Sequence, residues 1–180
     1  VYNRILHFQD CIKQYQGKQN CKIPDYIYQD LDKKFNAYRL LITDINDNTV
    51  KYSQITRQHI LTFLKELKYT KHYENVNLIY YMLTHKRVDD ISELEDQLLE
   101  DFKNLVAIYD EIHGKDKELE LKRKNFMNVQ YILFQLLRRH NHPCKIENFT
   151  VLKTTDRKHF HDTICSNLFK KLGWKFTPTF

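Results

Sequence analysis

The fold of this chain is decided by residues 121–139, which read LKRKNFMNVQYILFQLLRR. Apolar side chains recur there at helical spacing, and Ile132 with Phe134 extends the apolar surface beyond a single stripe. A helix that is apolar over most of its circumference is buried by neighbours on several sides. The segment is therefore predicted to be a central helix about which the other helices pack.

Composition favours long helices throughout the chain. With three Gly and three Pro in 180 residues, turn residues are too scarce for a many-stranded sandwich or barrel. Apolar periodicity predicts about seven helices, near residues 3–16, 25–40, 56–68, 70–83, 92–113, 121–139 and 155–172. The predicted fold class is all-α: a single domain over residues 1–180 with a short extended C-terminal tail. The helix number and lengths also suit a cyclin-like arrangement, which is an analogy of fold alone.

Positive charge is concentrated in the last third of the chain. Residues 1–114 are near neutral at −2, whereas residues 115–180 hold 14 Lys/Arg against 6 Asp/Glu, a net +8. Such asymmetry is typical of a basic face that meets nucleic acid, and a solvated surface without a polyanionic partner explains it equally well. The residues predicted to bind nucleic acid or a protein partner are Lys122, Arg123, Lys124, Arg138, Arg139, Lys153, Arg157, Lys158, Lys170, Lys171 and Lys175. Without a helix-turn-helix or finger signature, contact with the DNA backbone or an acidic protein surface is predicted, not base reading.

Histidines and cysteines near the C-terminus form a weaker candidate for a zinc site. These residues are His140, His142, Cys144, His159, His161 and Cys165. Their spacings match no common finger, and Cys165 lies beside Ile164 on the predicted core face, where a buried structural cysteine is the simpler explanation. No metal and no cofactor is therefore predicted.

The sequence shows no motif of a common enzyme class. It contains no Gly-rich phosphate loop, no Gly-x-Ser-x-Gly elbow and no His-Glu-x-x-His pair, so a non-catalytic protein is predicted. The four cysteines are scattered, no signal peptide opens the sequence, and no apolar run approaches the roughly 20 residues that span a bilayer. These features favour a soluble protein from a reducing compartment with no membrane partner. Because Val1 is not an initiator Met, the sequence is expected to be part of a longer chain.

Short motifs follow one another in a set order along almost the whole sequence. They are Tyr2, Arg4, His7-Phe8, Gln16-Gly17-Lys18, Ile23-Pro24, Leu64-Lys65-Glu66-Leu67, Lys71-His72-Tyr73-Glu74, Arg123-Lys124-Asn125-Phe126, Tyr131-Ile132-Leu133, Leu152-Lys153, Ile164-Cys165, Leu168 and Gly173-Trp174-Lys175-Phe176-Thr177-Pro178. Their order and spacing resemble the poxvirus late transcription factor 3-like family of nucleocytoplasmic large DNA viruses. The sequence departs from the family at His161, where Trp is common, and it lacks the Cys-rich zinc module that commonly precedes this region.

The resemblance implies a viral factor for late gene transcription that acts by binding, without catalytic residues. It implies partnership with the viral multisubunit RNA polymerase and other late transcription factors, with duplex DNA as a further partner. It also implies a location in the host cytoplasm, at the viral factory, or packaging in the virion. Two alternatives are kept: a pure protein-interaction module of the viral transcription machinery, and a His/Cys metal-dependent enzyme.

Overall fold

The computed structural model describes residues 3–87, 89–113, 126–149 and 155–179, and these ranges contain helices and no β-strand. The eight α-helices found there are α1 (Arg4–Gln16), α2 (Asp25–Ala37), α3 (Asn48–Lys51), α4 (Arg57–Glu66), α5 (Val76–Thr84), α6 (Glu95–His113), α7 (Val129–Arg139) and α8 (Thr155–Leu172). The predicted all-α class is confirmed. None of the helices in these ranges combines the length and the apolarity that a membrane crossing requires.

The predicted central helix is confirmed as α7, with a later start than expected. Phe126 to Asn128 precede the helix, and residues 121–125 lie outside the described residues. Asn128 has an extended backbone (ψ 118°), and its side-chain oxygen accepts a hydrogen bond from the Tyr131 N–H, so it caps the helix. Every residue from Tyr131 to Leu137 is buried, which is the all-round burial that the sequence predicts.

One short helix, α3, is absent from the prediction. The Asp47 side chain accepts hydrogen bonds from the Thr49 N–H (3.0 Å) and the Thr49 hydroxyl (2.7 Å). An N-terminal cap of this kind satisfies a backbone donor that a single turn of helix otherwise leaves unpaired. Capping therefore produces a helical turn where the apolar pattern shows none.

Contacts divide the chain into two compact units, and the division falls inside α1. The middle unit comprises residues 13–90, and the C-terminal unit comprises residues 1–12 together with 91–180. The single domain predicted for residues 1–180 therefore stays a prediction.

In the middle unit, α2, α4 and α5 enclose a core of aliphatic and aromatic side chains that includes Leu31, Phe35, Ile60 and Ile79. Gly17 ends α1, as the sequence predicts, with a left-handed φ of 67°. A Cβ at this position would lie 2.9 Å from the Asn77 carbonyl oxygen, so both the conformation and the close approach require glycine.

In the C-terminal unit, α6 packs against both α7 and α8. The rings of Phe8 and Phe102 are stacked in parallel with centroids 4.2 Å apart. Arg4 lies over the Phe126 ring at 4.5 Å and pairs with Asp110 at 2.8 Å. Packing against α6 positions α7 and α8, whose C-terminal ends carry the candidate site.

Candidate functional site

A cleft of about 350 Å³ lies in the C-terminal unit between the end of α7, the end of α8 and the segment that follows α8. Its lining combines cationic, polar and aromatic side chains: Gln135, Arg138, Arg139, Asn141, Phe169, Gly173, Trp174, Lys175 and Thr177. Three of the eleven basic residues singled out in the sequence line the cleft, and they come from different segments: Arg138 and Arg139 from α7, and Lys175 from the segment after α8. The cleft is a product of the tertiary fold.

Both helices end at the cleft in the same way, with one left-handed residue that turns the chain. After α7, Asn141 has φ 59° and the His142 N–H donates to the Leu137 carbonyl at 3.0 Å. After α8, Gly173 has φ 73° and the Trp174 N–H donates to the Phe169 carbonyl at 2.8 Å. Such ends satisfy helix carbonyls and reverse the chain direction. The turn after α8 places Trp174 against Phe169, with ring centroids 5.3 Å apart.

Arg139 is held by a buried carboxylate at one side of the cleft. Its Nη1 lies 2.9 Å from Oδ2 of Asp101, and His140 Nε2 lies 2.5 Å from the same oxygen. The guanidinium also covers the Trp174 ring, with Cζ 4.2 Å from the centroid. Charge-assisted bonds and cation–π contact fix this side chain within the fold. Although predicted as a binding residue, Arg139 is placed by the structure in an internal ion pair.

Its neighbour Arg138 has a different environment. The guanidinium lies over the Phe134 ring at 5.2 Å and donates weakly, at 3.4 Å, to the carbonyls of Thr177 and Pro178. Among the described residues, no carboxylate lies within 4.0 Å of Arg138. Its charge is therefore directed to the cleft and is not neutralised by the described part of the fold.

The other predicted basic residues are divided between distant places. Lys170 and Lys171 are exposed in the last turn of α8, and Lys175 is exposed and lines the cleft. Arg157 is exposed and Lys158 half-buried in the first turns of α8, which is about 20 Å along the helix axis from Lys170. Lys122, Arg123, Lys124 and Lys153 lie outside the described residues. Arg138 and Lys175 line the cleft, and Lys170 and Lys171 lie in the last turn of the helix that ends there. We call these four residues, Arg138, Lys170, Lys171 and Lys175, the basic end.

The residues predicted as candidate metal ligands include several that have structural roles in the fold. His161 Nε2 accepts from the Asn128 N–H at 3.1 Å, and its Nδ1 donates to the Arg157 carbonyl at 2.9 Å, so both ring nitrogens are engaged. His140 is bound to Asp101, and Cys165 is fully buried. In the described ranges, no three His, Cys, Asp or Glu side chains converge as a metal site would require. The six residues His140, His142, Cys144, His159, His161 and Cys165 do not form one group there.

A buried polar network beneath the cleft escaped the sequence analysis. The Tyr131 hydroxyl donates to Asp162, and Gln135 donates to the hydroxyls of Tyr131 and Thr179. The Thr179 N–H donates to the second Asp162 oxygen at 2.8 Å. Burial raises the pKa of Tyr131 well above its usual range, and the neighbouring Cys165 and the bond to Asp162 raise it further, so the hydroxyl stays protonated.

A sequence signal for these missed residues does exist. Asp101 follows Leu98 by three residues and precedes Leu105 by four, and Asp162 precedes Cys165 by three. Helical spacing therefore puts both carboxylates on apolar faces, where a partner is required. An acidic residue at an apolar position of a helix predicts that its carboxylate is hydrogen-bonded or ion-paired in the interior, but it does not identify the partner.

Cys165 gives a pH prediction. Burial raises the pKa of its thiol well above the unfolded value of 9.0. Above that value the unfolded chain releases a proton that the folded chain retains, so this contribution to stability is complete below pH 9 and is lost as the pH rises. Between pH 9 and 10 the free energy of unfolding should fall by up to about 1.4 kcal/mol from this group. Urea unfolding across this range, with Cys165→Ala as the control, measures the effect; equal pH slopes for the two proteins would contradict it.

Comparison with known proteins places residues 1–176 on the family model described as Poxvirus Late Transcription Factor VLTF3 like. Three similar proteins are each named "Putative transcription factor": 282R of Invertebrate iridescent virus 6, 001R of Frog virus 3 and R429 of Acanthamoeba polyphaga mimivirus. They are 49%, 43% and 25% identical to this chain over 98%, 97% and 98% of its length.

The alignments cover 47%, 64% and 37% of those three proteins, so this chain spans about half the length of the curated relatives that it matches. No solved structure matches. The cyclin-like arrangement consequently stays a prediction.

Proposed function

We propose that this chain, which belongs to the Poxvirus Late Transcription Factor VLTF3-like family, is a non-catalytic domain that binds duplex DNA in late viral gene transcription. It works with the viral multisubunit RNA polymerase and other late transcription factors. Its place of action is the viral factory in the host cytoplasm, with packaging in the virion. The observation that carries the proposal is the basic end, where Arg138 and the exposed Lys175 line a cleft and the exposed Lys170 and Lys171 lie in the last turn of α8.

The chemistry of the basic end suits a phosphate backbone. Lys170 and Lys171 are exposed in the last turn of α8, and Lys175 follows the turn at Gly173. Lysine and arginine bind phosphates independently of sequence, and the release of condensed counterions drives the association. Nothing in this mechanism requires a base-reading helix, which agrees with the absence of a helix-turn-helix signature in the sequence.

Charge reversal at the basic end tests this proposal. In Lys170→Glu/Lys171→Glu/Lys175→Glu, each substitution replaces attraction to phosphate by repulsion, and affinity for a 20-base-pair duplex at low salt should fall at least about tenfold. Fluorescence anisotropy measures the change.

The matched control reverses three exposed lysines of the middle unit, Lys22, Lys65 and Lys71. It alters the net charge by the same amount and should retain most of the wild-type affinity. Equal losses in the two triple variants would show that total charge, and not the basic end, determines binding.

A protein-interaction module is the second candidate, and a groove in the middle unit favours it. The groove encloses about 730 Å³ and is lined partly by apolar residues, among them Leu41, Ile42 and the exposed Ile45. These apolar side chains lie among polar ones, and apolar surface with a polar rim is a form that protein-interaction sites take. Retention of polymerase by the chain when DNA affinity is absent would favour this candidate.

A further inference from the structure

The segment after α8 contains a Thr-Pro pair that is unique in this sequence. Of the three prolines, Pro24 follows Ile23 and Pro143 follows His142, so only Thr177-Pro178 places a hydroxyl residue before proline. Proline-directed Ser/Thr kinases require proline directly after the acceptor residue. The sequence therefore offers one acceptor of this type.

Thr177 is accessible to an enzyme. Both Thr177 and Pro178 are exposed, and residues 174–179 are assigned to neither helix nor strand. The contacts of Arg138 to the two carbonyls are long, at 3.4 Å each, and such bonds are weak. A kinase active site, which binds its acceptor as an extended strand, would not have to unfold a helix here.

Cations share the cleft with this residue. Thr177 lines the cleft together with Arg138 and Lys175, and in the described part of the chain no carboxylate lies within 4.0 Å of either cation. A phosphothreonine carries a charge of about −1.5 to −2 and three strong acceptor oxygens. Arginine and lysine bind such oxygens by charge-assisted hydrogen bonds.

We propose that Thr177 is a phosphorylation site of a proline-directed Ser/Thr kinase, and that Arg138 and Lys175 hold the phosphate in the cleft. The kinase transfers the γ-phosphoryl group of ATP to Thr177 Oγ1. The bond between the γ-phosphorus and the bridging oxygen breaks, a P–O bond forms at Oγ1, the hydroxyl proton passes to the kinase base, and ADP leaves. The modification neutralises the basic end from within the chain and lowers its affinity for DNA, a consequence that rests on the proposed function.

The acceptor is tested by incubating the purified chain with a proline-directed kinase and Mg-ATP, followed by intact-mass and peptide analysis. We expect one phosphate, on Thr177, which is absent in Thr177→Ala and Pro178→Ala and retained in Thr177→Ser. A synthetic peptide of residues 171–180 shows that the kinase accepts the sequence. Phosphorylation of the peptide but not of the folded chain would overturn the assignment, as would a phosphate at another residue.

Thermal unfolding tests whether the cleft holds the phosphate on Thr177. Phosphorylation should raise Tm by about 2–4 °C, the shift that one charge-assisted contact gives in a chain of this length. The rise should disappear in Arg138→Gln and in Lys175→Gln, so that one variant remains if the other does not fold. An unchanged or lower Tm on phosphorylation of the wild-type chain would refute the receptor.

These readouts do not depend on DNA. Phosphorylation at Thr177 with the Tm rise, in a chain that binds no duplex, would leave the modification standing and refute the proposed function. Duplex binding whose salt slope is unchanged by the phosphate would refute the regulatory consequence, because neutralising two cations should make the slope about 2 units shallower.

Discussion

Replacing Asp162 by Ala is expected to lower the free energy of unfolding by about 3–5 kcal/mol. The carboxylate is buried and accepts from the Tyr131 hydroxyl and the Thr179 N–H. Its removal leaves both donors without their acceptor in a site that excludes most water, and a buried unsatisfied donor costs about 1–3 kcal/mol. The substitution also releases the segment after α8, which Thr179 ties to the network.

Urea unfolding measures the loss, and Asn167→Ala is the matched control. Asn167 lies on the same helix but is exposed, so its replacement should change stability by less than about 0.5 kcal/mol. Tyr131→Phe/Asp162→Leu removes both buried partners and should recover part of the loss, since apolar replacement of a whole pair is often nearly neutral. A cost for Asp162→Ala no larger than that of the control would contradict the role given to the network.

The adjacent arginines of α7 should respond in opposite ways. Arg139→Ala is expected to cost about 2–3 kcal/mol of stability, because it removes the guanidinium from the buried Asp101 carboxylate, which keeps its bond to His140. This loss of stability is at the lower end of the range for buried pairs, because the Arg139 side chain is 26% exposed. Duplex DNA affinity of the folded variant should change little, because the Arg139 charge is already compensated.

Arg138→Ala is the internal control. It breaks no ion pair within the described residues and should cost less than about 1 kcal/mol, yet it removes a cation from the basic end and should weaken DNA binding severalfold. Equilibrium unfolding and anisotropy on the same two proteins measure both effects. If Arg139→Ala weakened DNA binding more than Arg138→Ala while leaving stability unchanged, the assignment of the two residues would be reversed.

The helices could be predicted because their signal is local. The apolar period in residues 121–139 predicts α7, and the burial of every residue from Tyr131 to Leu137 follows from apolar residues on all sides. The start of α7 could not be predicted from that period, since Phe126 and Met127 continue the apolar pattern beyond the helix. The helix starts only after Asn128, which caps its N-terminus. This cap depends on the extended backbone conformation of Asn128, which the apolar pattern does not show.

The site was only partly predictable because charge in a sequence does not show pairing. Arg138 and Arg139 are identical in type and adjacent, and both belong to the predicted basic set. They differ because Asp101, 38 residues before Arg139, reaches one and not the other. Similarly, Lys170 and Arg157 share α8 but lie at opposite ends, and only the tertiary fold brings Arg138 to the end of α8 that carries Lys170.

The central claim, that the basic end binds a phosphate backbone, is tested most directly by the salt dependence of duplex affinity. We predict that log K falls linearly with log salt with a slope of about −3 to −4, which corresponds to four cations at about 0.9 each. In Lys170→Glu/Lys171→Glu/Lys175→Glu the slope should approach zero, and in the middle-unit control it should stay unchanged. A wild-type slope near zero, or the same slope in the wild type and the basic-end variant, would contradict the claim.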